Sequence, residues 1–216
     1  MTRRCWSCWT ARKSGKGMVQ VYVAEMPLRE KGTNEQSEWA HRLLDKALER
    51  QFPEICGPAL LERTPKGKPF LLEHPEIHIN LSHSGRYAAC AVGRRPVGVD
   101  IECWKKRRRQ ELVVKKFHAK EREAYFRTAE EVKRARLFHD LWVLKESFMK
   151  AEGSGLLIPL DSFYMEGIRR GNGRVIQHQN DKEYYYRLYQ VKEKGFSLAA
   201  CSEEPDFCEE PIWVSF

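Results

Sequence analysis

Pro96 to Glu102 reads PVGVDIE, and Leu141 to Lys150 reads LWVLKESFMK. In the first stretch Val97, Val99 and Ile101 alternate with Gly98, Asp100 and Glu102. That is the period of a strand with one apolar face and one face carrying two carboxylates. In the second, Leu141, Leu144 and Phe148 recur at helical spacing, while Glu146 and Lys150 stand four apart on one face, with Trp142 a turn earlier. Adjacent carboxylates repel unless a cation lies between them or one is protonated. An acidic exposed strand face and an ordinary surface ion pair would give the same spacings. Brought together, however, strand and helix supply three carboxylates and an amine. Such an oxygen-rich set suits a divalent metal that leaves positions for water and phosphate oxygens. Gly98, on the carboxylate face, would let a ligand approach the backbone closely.

Upstream of this pair, Ile77 to Leu81 alternates strictly and is followed by Ser82-His83-Ser84-Gly85 and the apolar run Tyr87 to Val92, which predicts a hairpin turning at Ser84-Gly85. Val19, Val21 and Val23 alternate in an earlier strand, and residues 35–50 place Trp39, Leu43, Leu44, Ala47 and Leu48 at helical spacing. Arg42 stands one step off that stripe, either a solvated helix edge or a phosphate contact. Residues 64–70, TPKGKPF, form a turn that presents Lys66 and Lys68 toward a ligand. Downstream, YYYRLYQV, a KEKG turn and FSLAAC predict a second hairpin whose FSLAACS echoes RYAACAV in the first. The order strand, helix, hairpin, strand, helices, hairpin argues for an α+β fold of two similar halves and against a doubly wound sheet. The divisions expected are an N-terminal extension at 1–17, one half at 18–94 and another at 95–216.

The 216-residue chain has 42% hydrophobic and 11% aromatic residues, enough for a folded core. No apolar run reaches the length of a membrane span, and the basic N-terminus lacks the apolar region of a signal peptide, so a cytoplasmic protein is expected. Seven scattered cysteines make a disulfide framework improbable, and a single Cys5–Cys8 pair is a weak zinc signal. The net charge of +8 comes from residues 104–136, where thirteen Lys and Arg face five Glu. Such a basic field attracts phosphates, an acidic protein or nucleic acid, and charge alone does not choose. No GxGxxG or GxxxxGK[ST] occurs.

INLSHSG, PVGVDIE and LWVLKESFMKAEGSGLLIPLDSF, in this order and spacing, closely resemble the three motifs of the surfactin-type 4′-phosphopantetheinyl transferases. The resemblance runs from about Met18 to Cys201. It implies two α+β halves related by a pseudo-twofold, with the active site at their junction. It implies transfer of the phosphopantetheine arm of coenzyme A to a serine of an apo acyl or peptidyl carrier protein, with release of adenosine 3′,5′-bisphosphate. Asp100, Glu102 and Glu146 match the family's ligands for Mg2+, for which Mn2+ is a possible substitute. Lys150 matches a lysine near the reacting phosphate; Lys68, Ser82 and His83 match coenzyme-contacting positions, as does Asp100, and Arg42 lies on the helix bordering the adenosine bisphosphate. Glu146, directly or through a water, is the candidate base for the carrier serine, with Lys150 offsetting charge on the leaving group.

The basic belt at 104–136 would steer an acidic carrier, with Leu156, Leu157 and Ile158 adding apolar contacts; KKRRR at 105–109 reads equally as a solvated loop. A monomer that engages neither nucleic acid nor membrane is expected. The family's basic lead-in is reduced here to Arg29, Glu30 and Lys31. Competing readings are a basic nucleic-acid-binding scaffold and a coenzyme A pyrophosphatase that needs no carrier.

Overall fold

The computed structural model describes residues 17–26, 35–55, 57–105, 110–191 and 194–216. Cys5, Cys8, Trp6 and Trp9, the shortened lead-in at 29–31 and most of the KKRRR run therefore lie outside the described residues. In chain order the elements are β1 (Gln20–Glu25), α1 (Glu35–Gln51), β2 (Leu61–Arg63), β3 (Pro69–Leu71), β4 (His78–Ser84), β5 (Tyr87–Gly93) and β6 (Val97–Cys103). They continue with α2 (Gln110–Val114), α3 (Ala119–Arg127), α4 (Glu131–Glu152), β7 (Phe163–Glu166), β8 (Asn172–Gln177), β9 (Tyr184–Tyr189), β10 (Phe196–Ser202) and β11 (Ile212–Val214). The fold is α+β, as expected. The helix read around Leu137 to Phe148 begins earlier than expected, inside the basic segment, and Gly153 ends it in a left-handed conformation at φ 91°.

Two sheets carry the structure, one ordered β11-β1-β5-β4 and the other β6-β10-β9-β8-β7. Strand periodicity decides what each face does. Val19, Val21 and Val23 share a single apolar cluster with Ala89, Val97, Val99, Ile101, Leu198 and Ala200, so the two sheets bury their inner faces against each other. The outer face of the first sheet is covered by Leu43, Leu44, Ala47 and Leu48 of α1, and that of the second by Val143, Leu144, Phe148 and Met149 of α4. Each such Leu, Val, Phe or Met side chain taken fully out of water contributes about 1.5–3 kcal/mol. The two hairpins echo each other in connectivity as well as sequence. β1 and β4 flank β5 antiparallel, and β6 and β9 flank β10 antiparallel in the same order. β11, too short to stand out in the sequence, returns from the C-terminus to lie parallel to β1.

Gly98 is where α4 meets the second sheet. A Cβ there would fall inside the backbone of Ser147 and Ala151. The close approach anticipated at this glycine is thus made by a helix of the protein itself, and it fixes the register of Lys150 against β6.

Candidate active site at the β4–β6–α4 junction

β4 and β6 are edge strands of different sheets, and side chains join them where a backbone ladder would otherwise run. Asn80 Oδ1 accepts from the Val99 N–H at 2.9 Å, Ser82 Oγ from the Ile101 N–H at 3.3 Å and Ser84 Oγ from the Cys103 N–H at 3.0 Å. Alternation on β4 aims all three at β6, so the edge amides of β6 are satisfied while Asp100 and Glu102 turn toward α4. Two of the hydroxyls also donate to those carboxylates: Ser82 Oγ to Asp100 Oδ1 at 2.8 Å and Ser84 Oγ to Glu102 Oε2 at 3.1 Å.

From α4, Lys150 Nζ reaches Asp100 Oδ1 at 2.6 Å, Ser82 Oγ at 3.2 Å and the Val99 carbonyl at 3.2 Å. The Asp100 side chain is 8% exposed and that of Lys150 26%. Burial raises the Asp100 carboxyl pKa above its ordinary value, against the pull of Lys150 and the Ser82 hydroxyl. Its second oxygen, Oδ2, is buried without a hydrogen-bond partner. Trp142, Glu146 and Lys150 form the half-exposed stripe of an otherwise buried stretch of α4, as the spacing predicted. Strand and helix thus bring Asp100, Ser82 and Lys150 into direct contact with one another, and Glu102 stands beside Asp100 on the same face. Among the described residues no three His, Cys, Asp or Glu side chains are gathered as metal ligands.

The remaining expected residues are placed differently. His83 is exposed on β4, and partial burial followed by the Lys150 charge holds its pKa below the ordinary imidazole value. It therefore offers a phosphate a neutral ring at neutral pH. The Lys68 amine donates to the Ala151 carbonyl at 2.8 Å, capping the C-terminal end of α4, and burial lowers its pKa to about 8. It also lines a cleft of about 320 Å³ with His78, Glu152, Lys182 and Tyr184. The Arg42 guanidinium lies over the rings of Trp39 and Phe216, at 4.4 and 5.1 Å from their centroids. Leu157 is 79% exposed, whereas Ile158 is buried, so they do not form one exposed apolar patch. The Leu156 side chain lies outside the described atoms.

Two features of the site escaped sequence reading. Lys145, the neighbour of Glu146, is wholly buried: its amine pairs with Glu121 Oε2 at 2.8 Å and donates to the carbonyls of Leu160 at 2.8 Å and Phe163 at 3.0 Å. It ties α4 to α3 and β7. Burial pushes the Glu121 carboxyl up and the Lys145 amine down, each opposed by the other's charge. A pattern signal did exist, because Lys145 continues the apolar series Leu141, Leu144 and Phe148. The second feature is the end of β6. The Trp104 indole donates to Ser197 Oγ at 2.9 Å, and Ser197 donates to Asp140 Oδ1 at 2.5 Å. Beside it opens a groove of about 700 Å³ lined by Trp104, Leu112 and Tyr125, by Lys105, Lys115, Arg134 and Arg136, and by Glu111 and Glu131.

A strand-borne Asp100 carboxylate held by a helix-borne lysine, with Glu102 beside it and lysine-lined clefts elsewhere on the surface, suits phosphate chemistry. Comparison with known proteins narrows that class. Residues 96–201 match the 4′-phosphopantetheinyl transferase superfamily. The 4′-phosphopantetheinyl transferase Sfp of Bacillus subtilis is 35% identical over 174 residues, covering 81% of this chain and 76% of the relative. The 4′-phosphopantetheinyl transferase gsp of Aneurinibacillus migulanus is 32% identical over 150 residues, 66% of this chain and 58% of its own length. An L-aminoadipate-semialdehyde dehydrogenase-phosphopantetheinyl transferase of Xenopus laevis is 40% identical over 115 residues, 45% of this chain and 36% of its own. The chain belongs to the surfactin-type 4′-phosphopantetheinyl transferases.

Proposed function

We propose that this protein transfers the 4′-phosphopantetheine arm of coenzyme A to a serine of an apo acyl or peptidyl carrier protein, releases adenosine 3′,5′-bisphosphate, and requires Mg2+. The observation that carries the reading is the Asp100–Ser82–Lys150 cluster at the junction of two sheets, in a chain of this family. The donor set fits a hard cation. Asp100 has a buried oxygen with no hydrogen-bond partner, and Glu102 lies beside it on the strand. Mg2+ is often held by one or two carboxylates with the rest of its shell left to water and phosphate. Asp100 and Glu102 would hold it, with Glu146 a proposed third ligand. When bound, the metal supplies charge neutralisation for a pyrophosphate.

The protein's own residues do the rest. Lys150, held to Asp100 and Ser82, offsets negative charge that grows on the leaving bisphosphate as the carrier serine oxygen bonds to phosphorus and the pyrophosphate P–O bond breaks. Glu146, on the same half-exposed stripe, takes the serine proton directly or through a water. His83 donates an N–H to a phosphate oxygen, and Lys68 and Arg42 serve the nucleotide end. The groove beyond Trp104 admits the carrier, whose acidic surface its lysines and arginines attract. The division into halves at 18–94 and 95–216, related by a pseudo-twofold, belongs to the same reading; the repeated strand order supports it, except that β11 at the C-terminus crosses back to complete the first sheet.

Intact-mass spectrometry of an apo carrier incubated with the protein, coenzyme A and Mg2+ tests this. The carrier is expected to gain one phosphopantetheine arm. The gain should be absent without metal and should fall at least about 100-fold in rate for Glu146→Gln, the usual contribution of a positioned acid or base. Adenosine bisphosphate released with no carrier present would instead identify a coenzyme A pyrophosphatase.

A further inference from the structure

Three residues of β4 stand opposite three residues of β6 in a repeating unit. Asn80, Ser82 and Ser84 each accept an amide of β6, from Val99, Ile101 and Cys103. The residues just before those amides are Gly98, Asp100 and Glu102. Ser82 holds Asp100 and Ser84 holds Glu102 in the same way, one hydroxyl accepting from the strand and donating to the carboxylate. A hydroxyl has a single hydrogen. With the Cys103 N–H supplied to Ser84 Oγ as a donor, the hydroxyl's own hydrogen is left for the Glu102 oxygen. The backbone on both sides is fixed as well, since the Cys103 thiol donates to the Ser84 carbonyl at 3.2 Å.

We propose that Ser84 is a positioning residue that fixes the Glu102 carboxylate for metal binding, acting through Glu102 and across the junction between the two sheets. The inference rests on the metal reading given under Proposed function. Partners of metal-ligating carboxylates orient the ligand before the ion arrives, and their loss costs about 10–100-fold in metal affinity. Ser84 is therefore the counterpart for Glu102 of what Ser82 is for Asp100.

The test is direct Mn2+ binding, read by electron paramagnetic resonance on the full chain with saturating coenzyme A and no carrier, so that no turnover contributes. Ser84→Ala is expected to weaken Mn2+ about tenfold, and Ser84→Thr, which keeps the hydroxyl, to stay within about twofold of the parent. In a Glu102→Gln background Ser84→Ala should add less than about twofold, because residues acting through one group are not additive. A purely structural role would lower the melting temperature and leave the Mn2+ affinity unchanged, and that result overturns the proposal. Should Ser84→Ala not fold, Ser84→Cys serves, since a thiol is a weak donor of similar size; parent-like Mn2+ affinity in that variant would likewise overturn it. Absence of Mn2+ binding by the parent protein overturns the metal reading and this inference together, whereas equal binding by parent and Ser84→Ala overturns this inference alone.

Discussion

β1 and β6 occupy the same place in two copies of one connectivity, yet only β6 carries the carboxylates of the proposed site. The AAC run gives the alignment: Cys90 stands opposite Tyr22, and Cys201 opposite Gly98. On that register Tyr22 matches Gly98, Ala24 matches Asp100, and Met26 matches Glu102. Tyr22, Ala24 and Met26 are all buried, the first two packed with α1. In β6 the same face exchanges an aromatic ring for no side chain, then two apolar residues for two carboxylates. The missing side chain at Gly98 brings the α4 backbone in, and with it the amine that Asp100 needs. A sealed helix–sheet interface thus becomes the proposed site through changes at three alternate positions, while the inner valines of both strands continue a single core.

Exchanging the middle position should give the largest effects. Asp100→Ala removes the partner of Lys150 and one ligand of the proposed metal; transfer is expected to fall by about 10³ or more, since charge stabilisation of this kind is worth several kcal/mol. The reverse change, Ala24→Asp, places a carboxylate under α1 among the apolar side chains of Leu43, Leu44 and Ala47. It should destabilise the fold by about 3–5 kcal/mol, as unpaired buried charges do. Denaturant unfolding of both variants with a transfer assay measures the two outcomes. If Ala24→Asp is tolerated, the first half is less sealed than its packing indicates.

Gly98→Ala asks whether close approach of α4 is what separates the two halves. The added methyl meets the α4 backbone at Ser147, Lys150 and Ala151, not the flexible end of a side chain, so α4 must move outward. Overpacking of this sort costs about 1–3 kcal/mol. The shift also draws Lys150 from Asp100, so transfer should fall by more than the lost stability explains. Activity under conditions where the variant remains fully folded separates the two effects. Unchanged activity there would mean that the register of α4 does not depend on Gly98.

Much of this was readable from local pattern. Alternation placed Val99 and Ile101 inward and Asp100 and Glu102 together, and helical spacing put Glu146 and Lys150 on one stripe, because both periods are properties of a single element. What escaped depends on elements distant in sequence. Asn80, Ser82 and Ser84 read as the polar face of a strand, and nothing local reveals that their partners are the edge amides of β6. Gly98 was read as room for a ligand because the helix that fills the space is nearly fifty residues away. Lys68 reads as an amine that a turn presents toward a ligand, whereas its partner is the Ala151 carbonyl at the end of α4. Lys145 could have been recognised, since a lysine in register with Leu141, Leu144 and Phe148 must either break the stripe or be paired beneath it.

Lys68 gives the smallest and most selective effect, because it belongs to the first half and caps the helix of the second. Its pKa in the folded protein is about 8, against an ordinary value of 10.5. Between those values the unfolded chain keeps a proton that the folded chain has released, so this group's contribution to stability rises with pH through that window. Coenzyme binding should run the other way. Phosphates favour the charged amine, so above pH 8 binding must take up a proton, and KM for coenzyme A should rise by up to about tenfold per pH unit as the neutral form takes over. Lys68→Arg stays charged across the range and should flatten that rise, leaving kcat little changed. A KM–pH profile identical in parent and Lys68→Arg would show that Lys68 only caps α4, and the contact between the halves would then be structural alone.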